Sequence, residues 1–141
     1  MKTALFVMYL SGCAQAAWAA PITIQCPQTI SVQQTTDARN DEWEPIADEG
    51  LTAPSLVSIA VYVGHPGEAG TLVPDQTINS TAGETTIWHL APDSRPYWVA
   101  CIYNNSRLLL GKRIPDSAGQ CYLKEALRGK KKNGVISFEC E

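Results

Sequence analysis

Tyr97-Trp98-Val99-Ala100-Cys101-Ile102-Tyr103 is the stretch that decides the fold. Aromatic and β-branched side chains suit a pleated, well-packed strand. Apolar residues occupy both its odd and its even positions, so both faces are covered, which predicts a central strand rather than an edge. Asn104-Asn105-Ser106 supplies a hairpin turn, and Arg107-Leu108-Leu109-Leu110 the strand that returns from it.

The same punctuation continues outward in both directions. Upstream, Leu56 to Val63 forms a strand with Val57, Ile59, Val61 and Val63 on one face, stopped by His65-Pro66-Gly67. Thr85 to Leu90 is a further strand, and Ile30 to Gln33 alternates after Cys26-Pro27. Downstream, Pro115-Asp116 and Gly119 mark a loop. A last hairpin then runs from Cys121 through Ala126, turns over 129–134 and returns along Val135 to Phe138. Residues 121–128 carry helix propensity, but eight residues are marginal for an unsupported helix, so a strand is expected there. Short apolar runs separated by Gly, Pro, Asn and Asp define an all-β chain, a small antiparallel β-sandwich or partly open barrel. Residues 20–141 form its single domain.

Residues 1–19 read as a signal peptide. Lys2 gives the positive start, Ala4 to Leu10 the apolar core, and Ala17-Trp18-Ala19 a small-x-small site with cleavage before Ala20. The apolar run is too short to span a bilayer, and no later stretch is an integral membrane segment. Leu10-Ser11-Gly12-Cys13 also has the form of a lipobox, which would anchor the chain through an acylated Cys13. The chain is thus expected to be periplasmic or secreted, either soluble or as a lipoprotein. Cys26, Cys101, Cys121 and Cys140 remain in either case, and in an oxidising compartment they pair. Three pairings exist. The expected one joins Cys101 to Cys121 and Cys26 to Cys140, the second tying the chain ends together.

Net charge is −3 over 141 residues, but it is unevenly placed. Residues 20–106 hold ten acidic and two basic side chains, whereas 107–132 hold eight basic and two acidic. This basic excess is too weak for a nucleic-acid binder. Catalytic material is sparse. His65 and His89 are the two histidines, read as a turn residue and a strand residue, and no serine lies in a Gly-x-Ser-x-Gly elbow. Bridged cysteines are not nucleophiles. The histidines lack metal-ligand spacing, and the carboxylates from Asp37 to Glu49 lack the glycine and spacing of a calcium loop. The chain is therefore read as non-enzymatic, with no metal and no cofactor.

Binding features are more informative. Trp88 and Trp98 are expected to fill the core. Trp43 sits among Asp41, Glu42 and Glu44, where it either plugs the core edge or stands as an exposed anchor, and these four residues are the candidate binding site. The Lys130–Lys132 run is expected to be a solvated hairpin tip, with an anionic partner or membrane surface as the alternative. The leading reading is a small exported binding module whose partner is a periplasmic protein. The alternative is an inhibitor or immunity protein of a periplasmic cell-wall hydrolase, because a rigid, disulfide-held loop loses little entropy on binding.

Cys26-Pro27, Ile30-Ser31-Val32, Trp88-His89-Leu90, the Tyr97–Tyr103 run, Ile114-Pro115 and Phe138-Glu139-Cys140 together resemble a family of small exported proteins of Gram-negative bacteria without an assigned function. The resemblance implies a periplasmic location and four paired cysteines, and it transfers no catalytic residue.

Overall fold

The computed structural model describes residues 20–33, 53–68, 70–128 and 131–141. The signal segment with Cys13, and the acidic segment with Asp41, Glu42, Trp43 and Glu44, lie outside the described residues.

In chain order the strands are β1 (Ile22–Thr23), β2 (Leu56–Val63), β3 (Gln76–Asn79), β4 (Gly83–His89), β5 (Tyr97–Tyr103), β6 (Leu109–Arg113), β7 (Gln120–Arg128) and β8 (Lys131–Cys140). A short 3-10 turn at Pro66–Glu68 follows β2. Five strands make one antiparallel sheet in the order β1-β8-β7-β4-β3, and three make the other in the order β2-β5-β6. The Tyr97–Tyr103 run is the middle strand of the smaller sheet, as its two apolar faces require. Residues 121–128 are strand, not helix.

The two inner faces meet in one core, in which Val61, Val99, Ile114, Leu123 and Phe138 are each no more than 2% exposed. Burial of Phe138 alone contributes about 2–3 kcal/mol. Trp88 lies in this core, its ring tilted against Phe138 at 6.3 Å, while its Nε1–H donates to the Leu72 carbonyl at 3.0 Å. Trp98 is on the other face of β5. It alternates with Val99 and packs instead under His65, whose ring meets it edge-on at 4.9 Å. Only one of the two expected core tryptophans is therefore in the core.

Three local expectations are also revised. Val57 is 43% exposed rather than in line with Ile59 and Val61, because the register slips between Leu56 and Ser58 and leaves it as a bulge. Residues 30–33 form no strand; the N-terminal segment makes an isolated bridge through Thr29 to Ser55. The last turn is shorter than expected, since β8 already begins at Lys131.

The cysteine pairing differs from the expected one. Cys26 is bonded to Cys101, and Cys121 to Cys140. The topology gives the reason. Cys121 and Cys140 are direct cross-strand partners on β7 and β8, with Cα atoms 4.1 Å apart. Gln120 and Glu141 exchange both backbone hydrogen bonds next to them, so the cysteines occupy a non-hydrogen-bonded pair, where side chains approach closest. Cys101 belongs to the other sheet. The segment that carries Cys26 leaves β8, where the Ile24 N–H donates to the Phe138 carbonyl, and reaches β2, where the Gln28 carbonyl accepts from Leu56. The Cys26–Cys101 bond fastens this crossing segment to the smaller sheet. The first and last described strands do meet, but through the pairing of Ile22 with Cys140 rather than through a bond between Cys26 and Cys140.

Candidate functional site

Along β7 the inward positions change from apolar to charged. Cys121, Leu123 and Glu125 alternate onto the core face, at 0%, 2% and 1% exposure. Glu84 is the cross-strand partner of Glu125 on β4. Lys132 reaches both from β8, with Nζ 2.8 Å from Glu84 Oε1 and 2.5 Å from Glu125 Oε2. Partial burial depresses the Lys132 pKa, but its hydrogen bonds to Glu125 and Glu84 outweigh this and hold it above the ordinary lysine value. Glu125 Oε1 has no hydrogen-bond donor among the described residues. Two carboxylates against one ammonium leave the cluster with a formal charge of −1.

This cluster lies at one mouth of the sandwich. A cleft of about 280 Å³ opens there between Ser58, Ile59 and Ala60 of β2 and the inner face of the larger sheet. Glu84, Thr86 and Lys132 line it beside Trp88 and Leu123. At the other end of β4 and β7, a cavity of about 400 Å³ lies between the loops around Pro92 and Pro115. Two exposed ion pairs border it, Arg95 with Asp93 and Arg113 with Asp116. The first draws the Asp93 carboxyl below its usual pKa.

None of this assembles catalytic chemistry of a recognisable type. The four cysteines among the described residues are bridged. His89 is exposed at the end of β4, its Nδ1 3.3 Å from Asp75. Asp75 also accepts the His89 N–H at 2.7 Å, which lowers the carboxyl pKa. His65 sits in the turn after β2, where its Nδ1 accepts the Gly67 N–H at 3.1 Å. Among the described residues, no three His, Cys, Asp or Glu side chains converge as metal ligands. No helix among them is long and apolar enough to cross a membrane.

The surface has one conspicuous apolar edge. Leu108, Leu109 and Leu110 are 55%, 40% and 40% exposed, and all five residues of β6 are exposed. Arg107 precedes the leucines, and Lys112 and Arg113 follow them. Among the described residues, no strand pairs with the far side of β6.

Trp43, Asp41, Glu42 and Glu44 cannot be placed relative to these features, because they lie outside the described residues. The Glu84–Glu125–Lys132 cluster was missed in the sequence, although a signal for it existed. The two-residue alternation through Cys121 and Leu123 already puts Glu125 on the buried face, where a carboxylate needs a partner. Lys132 was assigned to a solvated tip, and its side chain instead supplies that partner.

The fold is a disulfide-pinned β-sandwich with an exposed apolar edge. Residues 51–141 match the family model described as Type VI secretion system Tli immunity protein, and the chain belongs to that family. No curated protein and no solved structure matches it. The expectation of a family without an assigned function is corrected accordingly, since the family carries an immunity role. The matched residues hold β2 to β8 and the Cys121–Cys140 bond. Cys26 and the acidic segment around Trp43 precede them.

Proposed function

We propose that this chain is a periplasmic immunity protein, which binds a type VI effector and keeps it from acting on the cell that makes both. It acts by occupancy and performs no reaction of its own. The observation that carries this reading is the family match, which spans most of both sheets. The two disulfides and the export signal support a periplasmic location, because such bonds persist in an oxidising compartment. A rigid cross-linked sandwich also suits tight inhibition, since little conformational freedom is lost on docking.

The effector class favoured by the sequence reading is a cell-wall hydrolase. The acidic segment with Asp41, Glu42 and Glu44 around Trp43 would be a second contact, aimed at a cationic cleft. The test is direct. Candidate type VI effectors, beginning with any whose gene adjoins that of this chain, are exported to the periplasm of a sensitive strain, with and without this protein. Co-expression should restore growth, and the purified pair should form a complex. Lysis that persists despite full expression of this chain would refute the immunity role. Release of peptidoglycan fragments by the effector would support the hydrolase assignment, and release of another product would refute it. Charge reversal at Asp41, Glu42 and Glu44 should weaken protection if the acidic segment takes part.

A further inference from the structure

We infer that β6 is the docking strand of this protein. It accepts an extended segment of the effector as a fourth strand on the smaller sheet, with acidic side chains on that segment facing Arg107 and Lys112. The inference rests on the immunity reading and names the surface that carries it.

Hydrogen-bond direction along β6 comes first. The Ile114 N–H donates to the Tyr97 carbonyl at 2.9 Å. Antiparallel pairs alternate between bonded and non-bonded, so Leu110 and Lys112 also turn their backbone groups toward β5. Leu109, Gly111 and Arg113 therefore turn theirs outward, an N–H and a C=O from each. Across the sheet, the equivalent outward groups of β2 are taken by the chain itself. The Leu72 N–H donates to the Val61 carbonyl at 2.7 Å, and the Val63 N–H to the Gly70 carbonyl at 2.9 Å. The outward groups of β6 form an edge open for strand addition among the described residues.

Natural edges are commonly guarded by charge, proline or bulges, because an open apolar edge invites pairing with other chains. Here the centre of the segment is Leu108-Leu109-Leu110, and the charges stand only at its ends. No register slip interrupts the pairing of β5 with β6, so the edge is regular. Main-chain bonds would supply affinity, and the side-chain pattern would supply choice of partner. The basic ends select the partner's sign: Arg107 and Lys112 are both exposed and favour carboxylates on the added strand.

The test uses the full exported chain and the purified type VI effector against which it protects. Gly111→Pro removes one outward N–H and breaks no bond to β5, since Gly111 pairs with Ala100 at a non-hydrogen-bonded position. Its affinity for the effector should fall about 100-fold, as expected when main-chain hydrogen bonds at an interface are left unmade. Arg107→Glu with Lys112→Glu should cost about 10-fold or more and reverse the salt dependence of association. Hydrogen exchange gives an independent reading on the unaltered protein. The amides of Leu109, Gly111 and Arg113 should exchange readily in the free chain and become protected in the complex. This measurement decides the matter if the proline variant does not fold.

Wild-type binding that is unchanged in both variants, with no protection along β6, would overturn the docking strand and leave the immunity role standing. Failure of the wild type to bind would remove both. Two further outcomes would also overturn the assignment: a wild-type dimer that both variants convert to monomer, or binding to phosphatidylglycerol vesicles that both variants abolish. The edge would then serve self-association or a lipid surface.

Discussion

Along β2 the smaller sheet ends in the protein's own chain, whereas along β6 it ends in exposed leucines. The first edge is closed at its beginning by the segment after Cys26, and near its end by residues 70–72, so that donors on both sides find carbonyls. The second edge carries the same kind of strand, paired in register to the same central β5, and receives no such cover among the described residues. The two strands differ in composition, since β2 is apolar but for Ser58 and β6 ends in Lys112 and Arg113, yet composition alone supplies no covering segment. What differs is where neighbouring segments are led, and leading them costs chain length and a disulfide. The β2 side is thus held by main-chain bonds and a disulfide, and the β6 side keeps its outward groups open among the described residues.

The largest expected effect comes from releasing the closed edge. Replacing Cys26 and Cys101 together by serine frees a crossing segment that a bond of sequence separation 75 holds in place. In the chain-entropy account this removes about 4 kcal/mol, against about 3 kcal/mol for the shorter loop closed by Cys121 and Cys140. Denaturant unfolding of the two double-serine variants measures both. A larger loss from the Cys121–Cys140 pair would mean that the hairpin, and not the sealed edge, dominates stability.

The ion cluster lies on the same closed side, bordering the cleft next to β2. Lys132→Met leaves Glu125 buried without its ammonium. Removing one partner of a fully buried pair costs about 3–5 kcal/mol; with Lys132 about half exposed, about 2 kcal/mol is expected here. The pH dependence has a definite sign. The native Lys132 pKa is raised, so its contribution is complete below the ordinary lysine pKa and fades as pH rises through the native value. The melting-temperature gap between wild type and Lys132→Met should therefore hold up to the ordinary lysine pKa, about 10.4, and narrow only as pH rises above it. A gap that stays constant would show that the loss does not depend on the charge of the ammonium.

How far these regions could be read in advance follows from the same physics. The strand runs at Leu56–Val63 and Tyr97–Tyr103 were legible to the residue, because β-branched and aromatic clusters between turn residues signal strands locally. Disulfide partners were not legible, since pairing depends on which sheet each strand joins. Cys101 and Cys121 lie close in sequence but belong to different sheets. Val57 was misplaced because a one-residue bulge moves a side chain off its face without leaving a mark in the sequence. The leucines of β6 were legible as a strand and not as a surface. An apolar run looks the same whether the protein covers it or a partner does.

Two glycines, one in the segment that closes β2 and one in β6, give a finer test of the contrast. A Cβ on Gly70 would lie 2.7 Å from the Val63 carbonyl oxygen, a backbone atom that cannot turn aside. Gly70→Ala should push the closing segment off β2 and cost about 1–2 kcal/mol, in the range for overpacking. The amides of Val63 and Leu72 should then exchange faster, while those of β6 stay unchanged.

Gly111 is the counterpart on the open edge and should show the smallest effect. A Cβ there would meet Pro66 Cγ and the Trp98 ring at 3.6 Å, which is ordinary contact. Alanine also loses less backbone entropy in a strand than glycine does. Gly111→Ala should leave stability within about 0.5 kcal/mol of wild type or raise it slightly. It keeps the outward N–H that Gly111→Pro removes, so it should retain effector binding where proline loses it. Equal losses from alanine and proline would mean that the added methyl, and not the missing donor, disturbs the surface. Binding retained by alanine alone would tie recognition to the main chain of β6.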